Sequence, residues 1–181
     1  MQFFKLASLL TAAALAAANS VTFQSLDNIG RTIYFTPNAG LAQISPVKVP
    51  GGASLQVTFP QGWIGNFYSV SDGASNVPGM LGEVAFNGWN GITFFDVSAI
   101  VNPNDHSGVK QLWPAGGASP VSGCEVFPCN NAYYLADDVQ TKTTTETDLI
   151  CTLGNGNSRR SVEEVETPSF KRDFVVGRWA N

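Results

Sequence analysis

Over residues 21–154 the apolar positions fall in short strand-like runs, and no segment outside the N-terminal stretch carries a sustained 3.6-residue period. Residues 32–36 (TIYFT), 55–59 (LQVTF), 64–70 (IGNFYSV) and 92–97 (ITFFDV) are β-branched and aromatic runs of strand length. Turn chemistry separates them. Pro37-Asn38, Pro50-Gly51-Gly52, Asp72-Gly73, Asn87-Gly88, Asn90-Gly91 and Pro103-Asn104-Asp105 place residues of fixed or positive φ where a strand must stop. Strands at this spacing, without helices between them, predict a single all-β domain, an antiparallel sandwich or barrel, over residues 21–154.

The two ends follow other rules. Residues 1–20 read as a signal peptide, with Lys5 as a short positive region, an apolar stretch over residues 6–15, and small residues at Ala16, Ala18 and Ser20. Cleavage after Ala18 or after Ser20 fits this pattern. The apolar stretch falls short of the roughly 20 residues that span a bilayer, so no membrane insertion is expected once the signal is removed. Residues 155–181 read as a flexible tail: Asn155-Gly156-Asn157-Ser158, then Arg159-Arg160, an acidic stretch with Glu163, Glu164 and Glu166, and a second dibasic pair at Lys171-Arg172. Both pairs are candidate processing sites; the alternative is a solvated, uncut tail.

Composition narrows the partners. The chain has 181 residues, 44% hydrophobic and 13% charged, with a formal net charge of −4, and such a surface lacks the basic patch that nucleic acid requires. Between residues 21 and 158 only Arg31, Lys48, Lys110 and Lys142 are basic, so the domain itself is acidic. Three cysteines in a secreted chain imply that two of Cys124, Cys129 and Cys151 pair, within the CEVFPC loop or from it to Cys151. The one left over permits a disulfide dimer. No Asn-x-Ser/Thr sequon occurs.

Candidate chemistry is sparse. His106 is the single histidine, which speaks against a metal site, and neither a nucleophile elbow nor a CxxC spacing is present. No cofactor is expected. Glu83 and Asp96 lie in apolar strand-like surroundings, GEVAF and FFDVS, where a charge must be solvated or paired. Together with Asp137 or Asp138 of the LADD segment they are the candidates for a carboxylate cleft, against the alternative that they tie loops together as acceptors. Trp63, Trp89 and Trp113 stand in turn-like contexts, suited either to stacking on sugar rings or to plugging the ends of a sandwich.

The order of these segments resembles the thaumatin-like proteins. Residues 82–104 (GEVAFNGWNGITFFDVSAIVNPN) are similar to the family signature, in which an AEF-like strand, an Asn-Gly turn and an FYDVS strand lead into a Val-Asp-Gly loop. Upstream, residues 60–68 (PQGWIGNFY) resemble the tryptophan-glycine segment; downstream, residues 131–154 (NAYYLADDVQTKTTTETDLICTLG) resemble the terminal AYSY-DD-TSTFTC run. The resemblance implies a thaumatin-like antiparallel β-sandwich of about ten strands, whose acidic cleft binds or slowly cleaves β-1,3-glucan in some members. It places Glu83 on the cleft glutamate, Asp96 on the first cleft aspartate and Asp137 or Asp138 near the last. Asn102 stands where the family has an aspartate, and Asn66 and Val70 where it has arginines. Two of five cleft charges are thereby absent, which shifts the expectation from hydrolysis by Glu83 and Asp96 towards plain carbohydrate binding.

Three cysteines, the NPND loop and the CNNAYY segment resemble the small thaumatin-like proteins of filamentous fungi, in particular conidial ones linked to spore germination and wall remodelling, some of them surface antigens. The resemblance therefore implies a secreted cell-wall protein engaging wall polysaccharide, β-glucan foremost, through Glu83, Asp96, Asn102, Asp137 and Asp138. A surface protein contacting host-cell receptors and a weak endo-β-1,3-glucanase are the two other readings it leaves open.

Overall fold

The structure, a computed structural model, describes residues 18–156. The signal segment up to residue 17 and the dibasic pairs Arg159-Arg160 and Lys171-Arg172 lie outside the described residues. Within them the chain forms eleven strands: β1 (Asn19–Ser25), β2 (Arg31–Pro37), β3 (Val47–Val49), β4 (Ser54–Phe59), β5 (Ile64–Ser71), β6 (Leu81–Ala85), β7 (Thr93–Ser98), β8 (Val109–Pro114), β9 (Ser122–Gly123), β10 (Lys142–Thr144) and β11 (Asp148–Leu153). A single 3₁₀ turn at Trp89–Gly91 joins β6 to β7. Here both Asn-Gly signals act as read from the sequence, with Asn87 and Asn90 at φ of 52° and 55°.

The strands make two sheets in one domain. A five-stranded sheet has the order β4-β1-β11-β8-β9, and a six-stranded sheet the order β10-β7-β6-β5-β2-β3. One pairing departs from the antiparallel expectation: β1 runs parallel to β11, with Val21 opposite Leu149 and Phe23 opposite Cys151. These are the first and last strands, so no hairpin turn dictates their relative direction and the sandwich alone sets it.

The core is aromatic and lies between the sheets. Phe23 of the first sheet meets Phe67 of the second edge-to-face at 5.0 Å, and Phe35 meets Phe59 at 5.6 Å. Trp63, 1% exposed, stands edge-to-face on Phe59 at 5.0 Å and donates its indole N–H to the Ala42 carbonyl at 3.0 Å. It plugs the core, whereas Trp89 is exposed and Trp113 half-buried.

Strand β1 starts two residues before the expected domain boundary at residue 21. Asn19 pairs with Phe59 and donates from its carboxamide to the Pro60 carbonyl at 2.9 Å, while Ser20 is buried between Thr58 and Asp148. Removing both would strip buried backbone pairs from two neighbouring strands. Of the two cleavage positions that fit the signal pattern, the one after Ala18 is therefore expected, and mass spectrometry of the secreted chain should read an N-terminus at Asn19.

Cys124 and Cys129 form a disulfide that closes the loop carrying Phe127, whose ring lies under the Lys110 ammonium at 5.4 Å. Burial pushes the Lys110 amine down and Asp105 partly offsets this. Cys151 is free and fully buried in β11, which removes the basis for a disulfide dimer, and burial pushes its thiol up. In native buffer a thiol reagent is expected to leave Cys151 unmodified, with stoichiometric reaction after unfolding.

A buried cation sits beside the end of β11. Arg31 has no exposed surface and is held by a bidentate pair with Asp27 at 2.7 and 2.8 Å, by the Ser107 carbonyl at 2.8 Å and by the Ile29 carbonyl at 2.9 Å. Its guanidinium holds the Asp27 carboxyl well down, at about 2. Gly154, at φ +80°, passes so close that a Cβ would run into both Asp27 and Arg31.

Candidate functional site

Strand pairing brings two of the sequence candidates, Glu83 and Asp96, together on one face. Glu83 of β6 stands directly opposite Asp96 of β7, and on the other side opposite Asn66 of β5, which faces Thr36 of β2. Thr36, Asn66, Glu83 and Asp96 thus form a row across four strands. Residues one position along each strand, Phe35, Phe67, Val84 and Phe95, point into the core, so the row lies on the face turned away from the second sheet.

Thr141 ends this row at Asp96. Its hydroxyl donates to Asp96 Oδ2 at 3.2 Å; its N–H donates to the Tyr133 hydroxyl at 3.2 Å, and the two hydroxyls lie 2.9 Å apart. With the Thr141 proton committed to the carboxylate, Tyr133 is the donor of the hydroxyl pair. Residue 133 is itself docked on β7 through a parallel bridge to Ser98. The segment between leaves the sheet edge at Ser98 and returns at Asp96, standing over one end of the row.

The flanking rows are apolar and aromatic. On one side Tyr34 and Tyr68 face each other across β2 and β5, half-buried and stacked at 5.4 Å with a 17° angle between the rings. The Tyr68 hydroxyl donates to Asn76 at 3.0 Å, and burial pushes its phenol up. On the other side lie Ile64, Ala85 and Phe94, leading to Trp89 at the hairpin tip, 73% exposed. An acidic centre between two aromatic flanks suits a ligand that offers hydroxyl groups and apolar C–H faces together.

Although they face away from the other sheet, Glu83 and Asp96 are 1% and 0% exposed. The other candidates, Asn102, Asp137 and Asp138, lie on loops outside this row. Asn102 accepts the Asn104 N–H at 3.1 Å and shapes its own turn. Asp138 accepts the N–H groups of Tyr134 and Leu135, both at 2.8 Å, and shapes the segment above the row. Asp137, in the same segment, is exposed. His106 is exposed in a turn, and among the described residues no group of three or more His, Cys, Asp or Glu side chains is placed to hold a metal ion.

These features define a two-sheet β-sandwich with a polar row on the outer face of its larger sheet. Among solved structures the fold is shared by the protein elicitor MoHrip2 from Magnaporthe oryzae, with a TM-score of 0.52 at 14% identity, over 76% of this chain and 99% of that one. By sequence the chain belongs to the family of the antigenic protein SchS21 from Stachybotrys chartarum, with which it is 58% identical over 139 residues, 77% of this chain and 96% of the relative. No family model matches the chain.

Proposed function

We propose that this is a secreted, cell-wall-associated protein of the thaumatin-like type that binds wall polysaccharide, β-1,3-glucan foremost, along the row from Thr36 to Asp96, with a role in wall remodelling during spore germination. The observation that carries the reading is the direct opposition of Glu83 and Asp96 in one polar row between aromatic flanks. A neutral polymer suits this face: Thr36 and Asn66 exchange hydrogen bonds with its hydroxyls, the buried carboxylates of Glu83 and Asp96 order the row from beneath, and Tyr34 and Tyr68 pack on its apolar edges. Hydrolysis is the weaker reading. Both carboxylates are shielded from the bulk water that a hydrolase must deliver, and laminarin is expected to keep its length over days.

Calorimetric titration of the tail-free domain with laminarin oligosaccharides tests this. The Glu83→Gln/Asp96→Asn double variant is expected to lose about tenfold or more in affinity, through the lost charge that orders the row. Tyr68→Ala is expected to lose about fivefold, through the lost aromatic surface alone. Equal affinity in wild type and double variant would remove the row from the reading. A second reading, contact with a host-cell receptor, draws on the names of the two similar proteins, an antigen and an elicitor. In that case loop variants such as Trp89→Ala weaken receptor capture while the double variant leaves it unchanged.

A further inference from the structure

We infer that the outer face of the five-stranded sheet is a second carbohydrate-binding surface, built around Trp113, which takes an uncharged glycan chain. It lies on the side of the sandwich opposite to the row from Thr36 to Asp96, and its binding does not depend on that row.

Strand register sets out the face. Phe23 of β1, Val57 of β4, Leu112 of β8 and Cys151 of β11 point into the core, so their neighbours along each strand point outward. Gln56, Thr22, Ile150 and Trp113 therefore stand side by side in one row across four strands. At about 4.8 Å between strands that row is roughly 14 Å long, enough for several sugar units. Two residues along, Ser54, Gln24 and Thr152 form the next row, and the Thr152 hydroxyl accepts the Gln111 N–H at 3.1 Å where β8 and β11 slip register.

The polar groups on this face are ready for a ligand. Gln24, Gln111 and Trp113 are half-buried, and among the described residues neither carboxamide, nor the indole N–H, has a hydrogen-bond partner. Each carboxamide can donate and accept at once, as a sugar hydroxyl does. The Trp113 ring adds an apolar surface for the C–H side of a pyranose.

Charge and polarity select the occupant. Among the five strands only Lys110 and Asp148 are charged. Lys110 is 2% exposed and lies over Phe127, away from solvent. Asp148 stands at a corner, where Ser20 donates to it and accepts from Gln56 at 3.0 Å. A polyanion finds no free cation here. Nor does a protein partner find the apolar centre of an interface, since all the exposed large hydrophobic side chains of the described residues lie outside these five strands. Amides and hydroxyls around one indole match a neutral polymer. The domain then carries two binding faces that point in opposite directions; joining two wall chains rests on the function proposed above, whereas binding at Trp113 does not.

The test follows amide NMR shifts of the mature chain during titration with laminarin, chitin and mannan oligosaccharides in turn. Shifts at residues 20–24, 54–58, 111–113 and 148–152 with at least one of them, unchanged as salt rises, are the expected result. Affinity read from these shifts should fall about tenfold in Trp113→Ala and recover largely in Trp113→Tyr. Gln24→Ala/Gln111→Ala, which leaves the ring in place, should lose about fivefold. Glu83→Gln/Asp96→Asn should leave the shifts on this face unchanged. Shifts confined to residues 64–68, 81–85 and 93–98 overturn the second face and keep the row. Shifts confined to the Trp113 face do the reverse. Absence of shifts on the Trp113 face with all three glycans, or equal affinity in wild type and both the Trp113→Ala and the paired glutamine variants, overturns the inference.

Discussion

Replacing Asp27 with asparagine is expected to destabilise the domain by about 3–5 kcal/mol, because it leaves the Arg31 guanidinium buried without its counter-charge. For a domain of this size that corresponds to a fall in Tm of roughly 10 °C or more. Part of the loss depends on pH. Asp27 is held at about 2 in the folded chain, below the ordinary 3.8, so its ionised form contributes stability above pH 4 that disappears as pH falls from about 4 through 2. The gap between wild type and Asp27→Asn is therefore expected to shrink by about 2 kcal/mol between pH 6 and pH 2. Urea titrations at the two values measure it. A gap below about 1 kcal/mol at pH 6, or one that does not change with pH, would show that water or the backbone carbonyls suffice for Arg31.

The second large effect is expected at Trp63. Its replacement by alanine empties a site in the middle of the aromatic core and should cost about 3–5 kcal/mol. Trp63→Phe keeps most of the packing on Phe59 but abandons the Ala42 carbonyl, for a cost of about 1–2 kcal/mol. That hydrogen bond ties the long connection between β2 and β3 to the sheet, so hydrogen exchange near residue 42 should accelerate in both variants, and proteolytic nicking there with it. Similar stabilities for the two variants would assign the role of Trp63 to the hydrogen bond instead of the ring.

Much of the sandwich was legible because its strands alternate. The runs at residues 32–36, 55–59, 64–70 and 92–97 match β2, β4, β5 and β7, since in each one the apolar residue in alternate positions is the one that meets the core. Strand β1 was obscured at its start because Asn19 and Ser20 look like the small, polar end of a signal segment, although here they are buried ladder residues. Its parallel partner β11 was not readable either, since no turn joins them.

The site divides in the same way. Glu83 and Asp96 stood out as carboxylates in apolar runs, and two facing strands bring them together. Asn66, Thr141, Tyr34 and Tyr68 join them only through register across strands far apart in sequence, which no local pattern encodes. Asn102 and Asp138 show what letters alone do not separate: Asx side chains are as apt to shape the turn that carries them as to line a cleft. The Asp27–Arg31 pair was missed because an exposed turn and a buried cation have the same letters, and only the carbonyls gathered around Arg31 distinguish them.

The parallel pair at the centre of the five-stranded sheet also orders events in time. Strand β1 leaves the ribosome first, yet the neighbour that completes its pairing arrives some 130 residues later, and such distant closure makes for slow folding. Until then the pair β1–β4 and the pair β8–β9 have nothing to join them, and each keeps an open edge towards the missing strand. A chain halted before residue 148 should therefore hold the complete six-stranded sheet faced by two unjoined strand pairs with open edges, prone to aggregation, and not a slightly smaller sandwich, which makes the last strand synthesised the one on which safe passage through secretion depends.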